Sequence, residues 1–240
     1  MKLYNPFRHL TTLEWYLWGT SLAVVTLSFF VGGGTSRGLL SLAASLLGVT
    51  ALIFVAKGDV TGQFLTVIFS LLYALVSWTQ GYYGEMITYL FMSTPAAIFS
   101  IVSWLRHPYG KDHAEVRMVH LTKKAFFTCI VISLTLTVIF YFVLKQLNTS
   151  ELLISTLSVT TSLLAASLLF LRSPCYALAY ATNDVVLIIL WIMASIKAPH
   201  SLSMVACFLM FLLNDLYAFF NWRRLRHAQN QEKKTAESSQ

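Results

Sequence analysis

Charged residues are scarce in this chain. Asp, Glu, Lys and Arg account for 11% of its 240 residues, whereas a soluble domain carries charge at roughly a quarter of its positions. Hydrophobic residues make up 57% of the sequence, and the mean hydropathy is +0.67. The apolar residues also form runs of about 20, the length that a helix needs to cross a bilayer. The composition excludes a water-soluble globular domain and predicts an all-α, polytopic membrane protein.

Cysteines and catalytic motifs are also lacking. The three cysteines, Cys129, Cys175 and Cys207, lie in apolar runs without CxxC spacing, so neither a disulfide framework nor a metal site is predicted. The sequence contains no Walker loop and no HExxH or GxSxG motif. We therefore predict that the chain is not an enzyme, hydrolyses no ATP and carries no cofactor. Its net charge of +7 is explained by basic residues that stay on the cytoplasmic side of a membrane. It therefore predicts no nucleic-acid partner.

Apolar runs bounded by charged residues, Gly, Pro or Asn predict eight membrane-spanning helices. Their approximate bounds are 15–31, 38–56, 61–79, 84–105, 125–144, 151–171, 175–196 and 200–222. Each span is expected to be helical, because hydrocarbon offers no partner for an unpaired backbone amide.

The basic residues predict the orientation. With eight spans both termini lie on one side of the membrane, and 14 of the 17 Lys and Arg residues then fall on that side. Lys and Arg concentrate in cytoplasmic loops, so cytoplasmic termini are predicted. The polar segment 227–240 is expected to be a disordered tail.

Two segments of the chain resemble each other. The fourth span closes with IFSIVSWLRH (98–107) and the eighth with LYAFFNWRRLRH (216–227). Four spans separate them, so the two units point the same way through the membrane, as in a parallel repeat. The predicted organisation is an N-terminal segment with an accessory helix, a first three-helix unit, a basic cytoplasmic loop with a linker helix, a second three-helix unit and the tail. The corresponding ranges are 1–37, 38–105, 106–145, 146–226 and 227–240. An interfacial Trp followed by anchoring Arg residues is the alternative explanation of the likeness.

Polar side chains at membrane depth are the candidate functional residues, because they are costly there and usually serve a function. Asp184 with Asn183 lies near the middle of the seventh span, and Asp215 with Asn214 lies in the eighth. Hydrogen bonding to neighbouring helices is the structural alternative for both acids. In the first unit, Pro95 lacks an amide and is expected to loosen the fourth span.

Aromatic residues flank these polar positions. Tyr180 precedes Asp184 by one helical turn and Trp191 follows it by two, so all three are expected to share a face. An acid between rings suits a flat heterocycle with a hydroxylated or cationic part. Tyr89 and Trp78 are candidates for the facing wall. Alternatively, Trp78, Trp104 and Trp222 are belt residues at the membrane interface. For Trp104 and Trp222 we prefer this second assignment.

Three strings resemble the PnuC family of nicotinamide riboside transporters. They are FVAKGDVTGQ (54–63), YGEMITYLF (83–91) with its closing SWLRH (103–107), and NDLYAFFNWRRLR (214–226). The resemblance covers roughly residues 40–226 and implies a parallel-repeat homotrimer that moves vitamin-like nucleosides by facilitated diffusion, with phosphorylation by a cytoplasmic kinase preventing return. In family members a pair of tryptophans usually precedes the residue that matches Asp184, whereas this chain has Ala177 and Tyr180 there.

The leading hypothesis is uptake of nicotinamide riboside across a bacterial cytoplasmic membrane. A transporter of a deoxynucleoside, thiamine or riboflavin, a membrane-embedded enzyme, and a receptor or scaffold without transport are the alternatives. The candidate substrate-binding residues are Asp184, Asn183, Tyr180, Trp191, Tyr89, Gln63, Trp78, Asn214 and Asp215.

Overall fold

The chain folds into a bundle of long helices in the computed structural model, which describes residues 5–109, 115–119 and 121–238. The helices are α1 Thr12–Val31, α2 Leu39–Ala56, α3 Val60–Thr79, α4 Tyr83–Thr88, α5 Thr94–Arg106, α6 Lys123–Gln146, α7 Leu152–Phe170, α8 Tyr176–Lys197 and α9 Leu202–Ser238. A π-helical turn, Tyr89–Ser93, joins α4 to α5, and two short strands, β1 Pro108–Tyr109 and β2 Glu115–Val116, pair antiparallel.

Seven helical segments in the described residues are long and apolar enough to cross a membrane, with α4, the π turn and α5 counted as one span, Tyr83–Arg106. They correspond to the second through eighth predicted spans. Helix α1 has 20 residues but is less apolar, and it begins with a capping box in which Thr11 and Glu14 bond each other's backbone amides. It packs against α2 and α9.

The connections between helices gather at two ends of the bundle. At the first end, which we call the turn end, the turns 80–82, 147–151 and 198–201 meet: the Ser150 amide lies 3.4 Å from the Gly81 carbonyl, and the Gln80 side chain lies 3.2 Å from His200. At the other, the basic end, the Val116 amide donates to Gly58 O at 3.0 Å. The successive connections therefore alternate between the two ends, as the span count requires.

Basic side chains mark the second of these ends. The loops that carry Lys57, Arg117 and Arg172 meet there, where the Val119 amide donates to the Arg172 carbonyl at 3.1 Å. Lys145 and Lys197 lie at the turn end, where Lys197 is 3.7 Å from Glu151. The uneven distribution of charge seen in the sequence is thus a property of the folded bundle.

The helices of the two predicted three-helix units make corresponding contacts. Within the first, α3 packs against α2 and α5; within the second, α8 packs against α7 and α9. Between the units, α2 contacts α9 and α7 contacts both α4 and α5. These are the contacts that two units related by a two-fold axis would exchange, with α2 matching α7 and α5 matching α9. Helix α6 packs chiefly on α7 and leaves most of its apolar surface exposed.

The π turn has a local cause. Pro95 cannot donate a backbone hydrogen bond to the preceding turn, and the Thr94 amide bonds the carbonyl of Tyr89, five residues back. The Thr94 hydroxyl donates to the same carbonyl at 2.8 Å. The loosening expected at Pro95 is therefore present as a π turn, which begins at Tyr89.

The expectation of a disordered tail is wrong for residues 227–238, because α9 continues to Ser238. Gln229 is buried and accepts a hydrogen bond from the Met118 amide at 3.0 Å. The Tyr109 hydroxyl donates to Glu232, and this bond raises the pKa of Tyr109 to about 12. The segment has the composition of a solvated polar chain, but these contacts with the basic-end loop hold it as a helix.

Candidate functional site

A narrow cavity lies between the two three-helix units. Its walls come from α2, α3, the π turn, α5, α7, α8 and α9. Six of the nine predicted site residues line it: Gln63, Tyr89, Tyr180, Asn183, Asp184 and Asp215. Helix α1 contributes no lining residue in the part of the chain that the structure describes. The first helix therefore packs outside the cavity, on α2 and α9.

Asp184 and Asp215 form an acid pair in the cavity wall. They come from α8 and α9, which pack against each other, and both side chains line the cavity. Both are buried, with 2% and 1% of their surface exposed. Within the described residues, Oδ2 of Asp184 and Oδ1 of Asp215 have no partner.

Gln63 is the polar group that the first unit contributes to the cavity. It is fully buried, and neither its side-chain oxygen nor its nitrogen has a partner among the described residues. Buried amides are nearly always hydrogen bonded. One acceptor and two donors are therefore available in the cavity for a ligand or for water.

Asn183 is held by the second unit. Its Oδ1 accepts hydrogen bonds from Thr161 at 2.7 Å and from Ser162 at 3.0 Å, both on α7. These bonds fix the orientation of the amide. Its NH2 group remains the part of the side chain that can serve a ligand.

Trp191 does not line the cavity, although the helical spacing predicted that it would share a face with Asp184. It is fully buried nearer the turn end, where its Nε1 donates to the Tyr73 hydroxyl at 2.7 Å. Tyr73 in turn lies 3.5 Å from Glu85, and Glu85 accepts a bond from Ser158 at 2.6 Å. We call these four residues the turn-end network. It joins α3 and α4 of the first unit to α7 and α8 of the second.

Sequence reasoning missed Glu85. It is the second residue of the predicted span 84–105 and was not among the candidate site residues. The structure buries it completely, because the π turn and the short turn before Tyr83 bring α4 against α7. The sequence signal that could have identified it is an acidic residue directly followed by a long apolar run.

Two other candidates lie outside the cavity. Trp78 is 58% exposed on the outer surface of the bundle, so its alternative as an interfacial residue fits and its place in a binding wall does not. Asn214 turns away from Asp215: its amide donates to Met210 O at 2.8 Å and lies 3.4 Å from the Ser21 hydroxyl of α1. Adjacent helix residues point about 100° apart, so only Asp215 of the two faces the cavity.

Three aromatic residues pack together on the basic-end side of the cavity. Trp104, Tyr176 and Trp222 are buried, with ring centroids 5.7 Å apart for the tryptophan pair and 4.6 Å for Tyr176 and Trp222. Trp222 Nε1 donates to the Val55 carbonyl at 3.0 Å. The preferred assignment of Trp104 and Trp222 to an interfacial belt is therefore wrong. Tyr176, which sequence reasoning did not single out, also lines the cavity.

The cavity is too small for a nucleoside in this conformation. The space open to the centres of water molecules is about 60 Å³, which holds roughly four waters. Sites for drug-sized ligands enclose about 300–1,000 Å³. In this conformation the cavity must widen before it accepts such a ligand.

A bundle of apolar helices around a central cavity that contains two acids and a buried amide is typical of a multi-pass membrane protein of the transporter class. The family model described as "nicotinamide mononucleotide transporter" matches residues 38–224, and the chain belongs to this family. The match excludes α1 and most of the tail.

Comparisons with individual proteins agree. Nicotinamide riboside transporter PnuC of Neisseria mucosa is 27% identical over 191 residues, covering 77% of this chain and 73% of that protein. PnuC of Haemophilus influenzae is 27% identical over 187 residues, covering 78% and 80%. A crystal structure of the vitamin B3 transporter PnuC superposes with a TM-score of 0.79 at 25% identity, covering 91% of this chain and 94% of that one. The predicted resemblance and the all-α polytopic fold are confirmed.

Proposed function

We propose that this chain takes up nicotinamide riboside across a bacterial cytoplasmic membrane by facilitated diffusion. The observation that carries the proposal is the cavity between the two units, where the acid pair and the unpartnered Gln63 amide lie together. A carboxyl pair suits the positive charge of the pyridinium ring. Gln63 and the Asn183 NH2 group suit ribose hydroxyls and the carboxamide, and Tyr89 and Tyr180 supply ring faces.

The charge of the cavity distinguishes the nucleoside from its phosphate. Among the described residues, no Lys or Arg lines the cavity, whereas Asp184 and Asp215 do. A phosphate group carries nearly two negative charges at neutral pH, and no cation is there to pair with it. The riboside named in the curated relatives therefore fits better than the mononucleotide named in the family description.

Net uptake requires a step that keeps the substrate from leaving again, because the sequence contains no ATP-binding motif. A cytoplasmic kinase that adds phosphate to the nucleoside would supply one, since the acidic cavity rejects the phosphorylated product. The same reasoning makes the chain a carrier and not an enzyme. The orientation follows the basic residues, with the basic end and both termini in the cytoplasm.

A homotrimer accounts for the surface of α6. That helix contacts mainly α7, and Phe127, Val138 and Phe142 on it are each more than half exposed. Part of this apolar surface would face lipid and part a second copy of the chain. Mass measurement in detergent or nanodiscs tests the oligomer, and a monodisperse monomer would contradict it.

Thiamine is the second candidate. The position of one ring of the family's usual tryptophan pair is taken by Ala177, which is fully buried, and that of the other by Tyr180. A site with Tyr180 in place of the tryptophan pair and with two acids also suits the cationic thiazolium of thiamine. Riboflavin and deoxynucleosides are neutral, so they gain less from electrostatic attraction to Asp184 and Asp215.

Binding to the purified protein tests the proposal. Calorimetry in detergent would compare nicotinamide riboside, nicotinamide mononucleotide, thiamine, riboflavin and a deoxynucleoside. We expect micromolar or tighter binding of the riboside, at least tenfold weaker binding of the mononucleotide, and loss of binding in Gln63→Leu. Trp78→Phe is the matched control, because its side chain faces outward, and it should bind as the parent does.

Transport is tested separately in proteoliposomes without ion gradients. Riboside should equilibrate across the membrane, and it should accumulate only when a kinase and ATP are enclosed. A requirement for a sodium gradient would refute facilitated diffusion. Folded protein that binds none of the five compounds would refute the substrate assignment.

A further inference from the structure

A second pocket lies at the basic end of the bundle, outside the central cavity. It opens among the end of α5, the start of α6 and the end of α7, and the space open to the centres of water molecules is about 360 Å³. Its polar lining residues are Ser103, His107, Thr122 and Arg172. Among the described residues, no Asp or Glu lines it. The pocket therefore presents a positive charge without a counter-ion from its own lining.

Arg172 occupies a backbone position that glycine usually takes. Helix α7 ends at Phe170, and Arg172 follows in the left-handed region with φ +57°. Its amide donates to the Leu169 carbonyl at 2.9 Å, and the Ser173 amide donates to the Leu168 carbonyl at 3.0 Å. This pair of bonds closes a helix whose next residue is commonly glycine, because a Cβ is unfavourable there. The backbone gives no reason for an arginine, so the reason is sought in its side chain.

The guanidinium of Arg172 is available to a ligand. Its Nε is buried and has no hydrogen-bond partner among the described residues, and neither ion pair found in those residues involves it. Thr122 lines the same pocket. Its hydroxyl oxygen accepts the Ala125 amide at 3.2 Å, which leaves its O–H as a donor. Arginine and hydroxyl donors suit the oxygens of a phosphate group.

An apolar groove continues from the pocket along the outside of the bundle, between α5 and α7. Phe170 lines both the pocket and the groove. Phe91, Pro95 and Phe99 line the groove at intervals of four residues, so they cover roughly 12 Å along the helix axis. Phe91 and Phe99 are 67% and 62% exposed. The groove therefore leads from the basic end toward the middle of the membrane.

The two parts lie at different depths in the bilayer. His107, Thr122 and Arg172 each stand one or two residues outside an apolar span, and the ends of spans lie near the lipid headgroups. The three spans are Tyr83–Arg106, Lys123–Gln146 and Leu152–Phe170. Basic pockets between transmembrane helices bind acidic headgroups. A soluble phosphate would occupy only the pocket, whereas a phospholipid fills the groove as well.

We propose that the pocket and the groove together bind one anionic phospholipid, with its phosphate at Arg172 and an acyl chain along the groove. The site lies outside the central cavity, so the proposal does not depend on which substrate is transported. Ser93, Ala96 and Ala166 line the groove as well as the cavity. The bound chain thus packs against the outer side of the cavity wall.

Lipid binding is measured by native mass spectrometry on the full chain in detergent. The protein is titrated with phosphatidylglycerol, which is anionic, or with phosphatidylcholine, which carries the same acyl chains and no net charge. We expect one phosphatidylglycerol per chain, bound at least about fivefold more tightly than phosphatidylcholine. Inorganic phosphate is the competitor that distinguishes a headgroup from a soluble anion. At a concentration equal to that of the lipid it should displace none.

Two variants separate the parts of the site. Arg172→Gly suits the left-handed backbone, so its melting temperature without lipid should equal or exceed that of the parent, while its preference for phosphatidylglycerol should disappear. Ser167→Phe fills the groove, which Ser167 lines, and should weaken the binding of both lipids. Arg223→Gln is the matched control. It removes an exposed cation that lies against Phe219, outside the pocket, and should bind phosphatidylglycerol as the parent does.

The contrary results are specific. Equal affinities for the two lipids, or an undiminished preference in Arg172→Gly, would overturn the proposal by removing the phosphate contact. Parental binding in Ser167→Phe would overturn it by removing the groove. Displacement by an equal concentration of inorganic phosphate would show a site for a soluble anion only. A monodisperse oligomer that binds neither lipid would show that a second copy covers the groove. Each of these results leaves the riboside-binding measurement unaffected.

Discussion

Replacing Tyr73 with Phe tests whether the turn-end network holds the cavity closed. The substitution removes one hydroxyl and leaves the ring in place. That hydroxyl accepts the Trp191 N–H at 2.7 Å and lies 3.5 Å from Glu85. Its loss leaves the Trp191 donor buried without a partner, at a cost of about 1–3 kcal/mol. Because the bonded residues belong to different units, we expect this cost to fall mainly on the conformation that is closed at the turn end.

The expected effect on the conformational equilibrium follows from that cost. A change of about 1–3 kcal/mol corresponds to about 5- to 150-fold in an equilibrium constant. The assay is the rate at which a membrane-impermeant maleimide labels Ser70→Cys in a chain whose native cysteines are replaced. Ser70 is fully buried and lines the cavity, so its labelling reports opening. Tyr73→Phe should accelerate labelling by about fivefold or more.

Tyr82→Phe is the matched control. The Tyr82 ring also packs on Trp191, with centroids 5.6 Å apart, but no hydrogen bond of its hydroxyl is found among the described residues. It should label at the parental rate. Parental labelling of Tyr73→Phe together with a lowered melting temperature would refute the reasoning, because the network would then stabilise open and closed conformations equally.

Two further predictions concern packing and the tail. Gly62→Ala would place a Cβ 2.5 Å from the Val55 amide nitrogen on α2. We therefore expect α2 and α3 to separate and the free energy of unfolding to fall by about 1–3 kcal/mol. The measurement is the melting temperature, which should be lower. Gly19→Ala, whose Cβ would meet nothing within 4 Å, is its control, and equal melting temperatures would contradict the prediction. Gln229→Ala should speed amide hydrogen exchange at Met118, whose N–H loses its acceptor, without changing substrate affinity; unchanged exchange would show that the loop is held by other contacts.

Membrane depth alone was sufficient to find the acid pair. Asp184 and Asp215 stand within apolar runs, and an acid there is costly wherever its helix packs. That both side chains face one cavity was not predictable, because it depends on how α8 and α9 are rotated against each other. Glu85 was missed for the opposite reason: its position near a span end looks interfacial in the sequence, and only the packing of α4 on α7 buries it.

Helix rotation also explains the errors among the aromatic residues. These helices are apolar on every side, so the sequence period carries little signal about which face points inward. Trp78 was placed in the cavity wall and is exposed, whereas Trp104 and Trp222 were placed at the interface and are buried. Trp191 follows Asp184 by two helical turns and was therefore expected on the same face of α8, but the cavity ends before it reaches Trp191.

The sequence by itself determined the class, the spans and the alternation of the loops. Those features depend on local hydrophobicity and on charges that cannot enter the bilayer, so they need no knowledge of neighbouring helices. Only the tertiary structure decided which polar groups share a site: Asp184, Asp215 and Gln63 line one cavity from three helices, and the turn-end network around Glu85 joins four. Such contacts are set by side-chain packing between helices far apart in the chain, and no single run of residues encodes them.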